Sequence, residues 1–265
     1  MDEAIVYLHG QPGAGDELSL VPAFTERFGS RLIVPERSKH PELPFGLHMD
    51  VMAGELRDRL AAAHVHLVGF SIGAFVAVEL AARLGKIVSR MDLISAAAPL
   101  QSGDFLKQMA GRQVFEFAAS SPLTFRRLTA LQSAVCRFAP GLIHRLLFAS
   151  AQSGDRTLID DDTNFKRQST QWIKSGLTAG RAGYLRDVTS YVLDWRAQSA
   201  EVNPAAKTRL WHGADDNWSP PNMMDAVAKL LPGTVEKRLL PDQSHYSTLQ
   251  AALTTMASEV IAHAE

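Results

Sequence analysis

A chain of 265 residues, 46% of them hydrophobic, can bury a large core as one domain or as a domain carrying an insertion. Its formal net charge of −1 offers no global attraction to nucleic acid or acidic membranes, and its single cysteine, Cys136, excludes an intramolecular disulfide and fits a reducing compartment. The acidic start Met1-Asp2-Glu3 is unlike a signal peptide, and no uncharged apolar run reaches the length of a membrane span, so the expectation is a cytoplasmic protein without stable membrane insertion.

In chain order, short β-type runs alternate with helical patterns. Residues 4–8 read as the first strand, ending at His9-Gly10, and residues 31–34 as the second, closed by Pro35. Met52, Leu56 and Leu60 recur every fourth residue and predict a helix over 51–62. A third strand over 65–68 runs into Gly69-Phe70-Ser71-Ile72-Gly73, and a helix over 73–84 follows, stopped by Gly85. The remaining strands are predicted over 91–95, 208–211 and 235–240, with helices over 222–231 and 248–262. Such alternation implies an α/β protein with a mostly parallel, twisted sheet between two helical layers.

The alternation fails between about residues 100 and 203, where several helical stretches and no clear strand occur. This predicts a helical insertion, dividing the chain into a core of 1–99 and 204–265 and an inserted cap of 100–203. Within the insertion, residues 117–154 hold no Asp or Glu but do hold Arg126, Arg127, Arg137 and Arg145. A basic apolar stretch of this kind suits a membrane surface, an anionic ligand or ordinary solvated cap surface. Phe105, Phe115, Phe117, Phe125 and Phe138 are candidates for an apolar substrate pocket. The acidic run Asp160-Asp161-Asp162 lacks a calcium-loop pattern, and no His/Cys/Asp/Glu cluster has zinc spacing.

Strand, tight turn and helix around G-x-S-x-G are the context in which that pattern carries chemistry. A serine on such a turn projects its hydroxyl clear of the sheet, and Gly69 and Gly73 leave room for neighbouring backbone. A serine hydroxyl needs a base within hydrogen-bond reach, and the base needs an orienting acid. The loop after the fifth strand offers Asp215 and Asp216. The loop after the sixth offers His245, the sole histidine between the last strand and the last helix. His9 and His212 sit at strand ends and are read as loop-shaping residues, and His64 and His66 lie at the third strand. His40, His48, His144 and His263 have no partner pattern.

The order Ser, Asp, His, with strand-turn-helix at the serine, resembles the α/β-hydrolase superfamily. The resemblance covers residues 5–13, 65–95 and 208 onward, and does not extend into the insertion. It implies a serine hydrolase with Ser71 as nucleophile and His245 as base. The family's G-x-x-D-x-x-x-P loop matches Gly213, Asp216 and Pro220, which gives the acid role to Asp216, with Asp215 as its competitor or as a brace for the loop. His9-Gly10-Gln11-Pro12-Gly13 looks like the family's oxyanion loop, so the backbone N–H groups of Gln11 and Ile72 are the implied oxyanion donors. Phe70 and Trp218 are candidate pocket-lining residues. The chain departs from the family by starting at the strand before the oxyanion loop, so the usual first two strands are lacking. It also carries Glu36-Arg37-Ser38-Lys39-His40 after the second strand, where relatives carry an Asp and a Gly-rich stretch. The implied reaction uses no cofactor and no metal. Its first-choice substrate is a small, partly hydrophobic carboxylic ester. Thioesterase, lactonase, amidase and carbon–carbon hydrolase chemistry stay open, as does a slow-turnover binding module. The four arginines favour an anionic carrier or acid substrate within that range.

Overall fold

A computed structural model describes residues 3–60 and 64–259. The predicted helix ends at 61–62 and 260–262, and His263, lie outside these. The described residues form one six-stranded, all-parallel sheet in the order β2-β1-β3-β4-β5-β6: β1 (Glu3–Leu8), β2 (Leu32–Ile33), β3 (His64–Phe70), β4 (Val88–Ile94), β5 (Lys207–Gly213) and β6 (Val235–Leu240). Every pairing in it is parallel. The central strands β1 and β3 are nearly continuous apolar runs because both of their faces are covered. The two edges differ. β2 is only two residues long, and β6 alternates partly buried with exposed, charged positions, so neither offers a long apolar edge to another chain.

One face of the sheet is covered by α2 (Phe45–Leu60), α3 (Ile72–Leu84) and α11 (Asn222–Leu230). The other is covered by α1 (Pro22–Phe28) and α12 (His245–Glu259). This is the three-layer α/β/α sandwich implied by the alternation of the sequence. Three helices differ from the sequence reading in ways with a local reason. Helix α1 escaped notice because it is short, although Pro22 at its start and Phe24 and Phe28 on its buried side mark it. Helix α2 begins six residues earlier than predicted, at Phe45, because the Pro44 carbonyl accepts the His48 N–H and starts the ladder. Helix α12 begins at His245 rather than at Thr248, because Ser244 O accepts the Thr248 N–H. The base candidate therefore stands on a helix rather than in a loop.

Between β4 and β5 the chain is helical: α4 (Arg112–Ser120), α5 (Pro122–Phe138), α6 (Pro140–Leu147), α7 (Ser153–Asp161), α8 (Thr163–Leu177), α9 (Arg181–Tyr191) and α10 (Arg196–Ala200). Their apolar sides do not form a separate core. Phe125, Phe165, Trp172, Tyr184 and Tyr191 belong to the same buried cluster as α2 and α3. Among the described residues no helix is long and apolar enough to cross a membrane.

Candidate active site

Ser71 occupies the single residue between β3 and α3, with φ 56° and ψ −124°. A non-glycine residue in such a conformation costs about 1–3 kcal/mol and persists only when its surroundings impose it. Here they do. The Ser71 N–H donates to Ile94 O at 2.9 Å, and its carbonyl accepts the Ala74 N–H at 3.0 Å. The flanking glycines are required by contact. A Cβ on Gly69 would lie 2.7 Å from both Gly73 O and Ala74 Cα, and one on Gly73 would run into the carbonyls of Leu8 and His9. The second clash shows why the turn sits so close to β1. That proximity brings the loop after β1, with Gln11, beside Ser71. The backbone N–H groups of Gln11 and Ile72 donate to no protein acceptor among the described residues. Ile72 is moreover the first residue of α3, where the helix dipole favours negative charge.

The structure pairs His245 with Asp216. Nδ1 of the imidazole lies 2.8 Å from Oδ2 and 3.1 Å from Oδ1 of a carboxylate that is fully buried. Burial alone would push the Asp216 carboxyl up. His245 and the backbone N–H of Ser219 outweigh it and hold the group below its ordinary value. Oδ1 also accepts the Trp218 and Ser219 N–H groups, each at 2.9 Å, so the carboxylate is fixed by its own loop. His212, at the end of β5, contacts the Ser219 carbonyl at 2.7 Å and closes that loop from beneath. Asp215 makes no contact with His245. It accepts from Ser153 Oγ, at the start of α7. His66 forms a separate buried pair with Asp92 at 2.6 Å within the sheet, and His144 pairs with Ser169 between α6 and α8.

A small cavity of about 60 Å³ adjoins Ser71 and Ile72, and Gln11, Pro12, Trp218 and Ser219 complete its core side. Helices α5, α6, α8 and α9 close it with Gln132, Ile143, Leu147, Leu177, Tyr184 and Val188. None of the residues lining it is charged. Trp218 lines the space and stacks on the His245 ring, with 26° between the ring planes. Phe70 does not line it. As the last residue of β3 it points to the opposite face, where its ring packs 4.7 Å from that of His245. Of the five phenylalanine candidates, only Phe115 reaches the cavity. Phe105 and Phe125 are core residues, whereas Phe117 and Phe138 face solvent. Arg126, Arg127, Arg137 and Arg145 are all exposed, and none lines the cavity, which removes the argument from them for an anionic substrate.

Two sets of buried groups escaped the sequence reading. Around the loop after β1, the fully buried Asp187 of α9 lies 3.1 Å from Arg37 Nη1 and accepts a hydrogen bond of 2.7 Å from Gln11 Nε2. Arg37, equally buried, donates to the His9 carbonyl, and Arg186 donates to the carbonyl of Arg37. Burial pushes the Asp187 carboxyl up and the Arg37 guanidinium down, and each is drawn back by the other. Glu17 accepts the N–H groups of Gly10 (3.0 Å) and Gly15 (3.1 Å). On the base side, Asp155 of α7 accepts the N–H groups of Tyr246 (3.2 Å) and Ser247 (2.8 Å), in the first turn of α12. Arg37 stood out in the sequence as a departure from the family loop, and Asp155 is the first carboxylate after the acid-free stretch 117–154. Their partners, however, are backbone groups or lie far away in sequence, so neither pattern names a role. Among the described residues no group of three or more His, Cys, Asp or Glu could hold a metal ion.

The alpha/beta hydrolase fold family model matches residues 3–252, and the chain belongs to that family. Solved structures agree on the fold. A thermophilic esterase from Thermogutta terrifontis is 20% identical, with a TM-score of 0.64 over 99% of this chain and 90% of the other. A bromoperoxidase from Bacillus anthracis is 17% identical, with a TM-score of 0.66 over 98% and 91%. The 2-hydroxy-6-oxo-6-phenylhexa-2,4-dienoate hydrolase of Rhodococcus sp. strain RHA1 is 15% identical, with a TM-score of 0.63 over 97% and 90%. No curated protein matches the chain by sequence.

Proposed function

We propose that the chain is a serine hydrolase that cleaves a carboxylic ester with a neutral, largely apolar acyl group. The observation that carries this reading is Ser71 itself. It is held at a positive φ at a helix N-terminus and lines a largely apolar cavity that also takes in Gln11 and Ile72. In this reading Ser71 Oγ attacks the acyl carbonyl while His245 Nε2 takes its proton. Asp216 keeps the Nδ1–H tautomer and stabilises the imidazolium. The Gln11 and Ile72 N–H groups receive the tetrahedral oxyanion, a contribution of about two to three orders of magnitude per donor. His245 then protonates the leaving alcohol and activates the water that releases the acid. The helices between β4 and β5 act as a cap over the acyl pocket. A cavity of about 60 Å³ holds little more than a few waters, so the cap shifts outward to admit substrate.

The uncharged lining favours an ester over a substrate that buries a carboxylate, as the dienoate named for the Rhodococcus enzyme would require. Lactones, thioesters and amides of neutral acyl groups fit the same space.

The test is a fluorophosphonate probe together with p-nitrophenyl esters of graded chain length, applied to the parent and to Ser71→Ala. Labelling and turnover in the parent, with a loss on the order of 10⁶-fold in kcat in the variant, are the expected result. A folded parent that neither labels nor turns over would replace the hydrolase reading with that of a binding module.

A further inference from the structure

The exposed face of α5 and α6 is unlike the rest of the surface. On α5, Leu123, Leu131 and Phe138 are 60%, 62% and 90% exposed, and on α6 Leu146 is 64% exposed, with Leu142 beside it. Arg126, Arg127, Arg137 and Arg145 stand among them, all exposed and without an ion pair among the described residues. Leu123, Arg127, Leu131 and Phe138 follow one another at spacings of four, four and seven, which places them on one side of the helix. Ala139 alone separates α5 from α6, so Phe138 and the exposed residues of α6 lie close in the chain. No carboxylate occurs from 117 to 154. A net charge of −1 for the whole chain therefore conceals a local surface that is both strongly basic and apolar.

We infer that this face docks the protein on an anionic membrane surface. Charge selects the partner. Four arginines without an ion pair among the described residues match lipid phosphates, which guanidinium groups bind bidentately. A second copy of the chain, seated face to face, would set four arginines against four on helices that carry no carboxylate. Shape also favours lipid. Separate protruding side chains sink into the headgroup and acyl boundary without a matching concavity, whereas a protein partner must supply one. The inward sides of the same helices carry Gln132, Ile143 and Leu147, which line the cavity at Ser71. Docking would thus bring the cap helices over the acyl pocket against the phase in which apolar esters dissolve. Only this last consequence rests on the hydrolase reading.

The experiment is co-sedimentation of the intact chain with pure phosphatidylcholine vesicles and with mixed phosphatidylcholine–phosphatidylglycerol vesicles. Binding to the mixed vesicles, weak binding to the pure ones and weakening by salt are expected. Arg137→Gln and Arg145→Gln should each lower partitioning roughly fivefold. Phe138→Ser with Leu146→Ser should lower it further while leaving the thermal midpoint unchanged, since both side chains stand in solvent. Vesicle binding is read without turnover, so an inert enzyme that docks refutes the hydrolase reading alone. Failure of the parent to sediment with mixed vesicles overturns the inference. So does equal binding by the variants, or self-association that these substitutions abolish in the absence of lipid. Binding to polyglutamate as tight as to mixed vesicles, and unchanged in Phe138→Ser, would identify an acidic protein as the partner instead.

Discussion

The two sides of Ser71 are held by different physics, although a buried aspartate from the insertion serves each. On the oxyanion side, Asp187 meets a full charge, Arg37, and the pair is sealed beneath the loop that carries Gln11. On the base side, Asp155 meets only backbone N–H groups at the start of α12. A buried ion pair loses much of its attraction to desolvation, yet losing one partner strands the other charge. A carboxylate on a helix N-terminus leaves only neutral N–H groups without an acceptor when removed, a smaller loss than a stranded charge. The oxyanion side should therefore fail first in stability, and the base side first in rate.

Asp187→Ala tests the first half of that contrast and carries the largest expected effect. It leaves Arg37 buried and uncompensated and should cost about 3–5 kcal/mol in urea unfolding. The double variant Arg37→Met with Asp187→Leu removes both charges and should recover most of that loss. It should not recover turnover, because Gln11 Nε2 still lacks its acceptor. If the single variant is as stable as the parent, the Arg37–Asp187 pair is not holding the loop.

Glu17 sharpens the same side through pH. Burial raises its carboxyl from the ordinary 4.5 to about 7, against the backbone N–H groups that pull it down. Below 4.5 the folded and unfolded chains both carry the proton, and the folded state has its full advantage. Between 4.5 and 7 the unfolded chain ionises while the folded one does not, so stability falls as pH rises, by roughly 3 kcal/mol in total. Glu17→Gln should flatten that fall in unfolding titrations between about pH 5 and pH 8. An unchanged slope would mean that Glu17 is already ionised at low pH, with Arg37 close enough to keep it so.

The same contrast explains what could be read in the sequence. Ser71, Asp216 and His245 were legible because strand ends at one edge of a parallel sheet bring successive loops together, and each loop announces itself by local spacing. Gly69 and Gly73 were legible because backbone must pass close to the turn. Asp155 and Asp187 were not, since their partners lie far off in the chain, and those of Asp155 are backbone groups. Phe70 was misplaced for a simpler reason. It is the last residue of β3 and packs in the cluster beneath α1 and α12, and the turn at Ser71 begins only after it. The exposed arginines of the insertion were visible as a run, but the side of the helix they occupy depends on how α5 packs over α9 and the cavity.

Asp155→Asn addresses the base side, where the expected stability loss is the smallest. Helix α12 begins at His245, and Ser244 stands just before it, where a serine ordinarily caps the first turn. Ser244 Oγ, however, is buried without a partner, and the cap comes instead from Asp155, 91 residues before Tyr246. Replacing one carboxylate oxygen by an amide turns an N–H donor towards the backbone N–H groups of Tyr246 and Ser247. The loss of a cap is worth about 1 kcal/mol, a small change in thermal midpoint. The consequence for rate is larger, because the turn that shifts carries His245, and an error of about 1 Å in a reacting group costs on the order of a hundredfold. We expect kcat for a soluble ester to fall roughly 10- to 100-fold with KM nearly unchanged. The downfield proton resonance of the His245–Asp216 hydrogen bond should broaden or vanish. Asp155→Ala with Ser244→Asp moves the cap back to its local position and should restore both signals. A variant that loses stability but keeps kcat and that resonance would show that Asp155 holds the helix without placing the base.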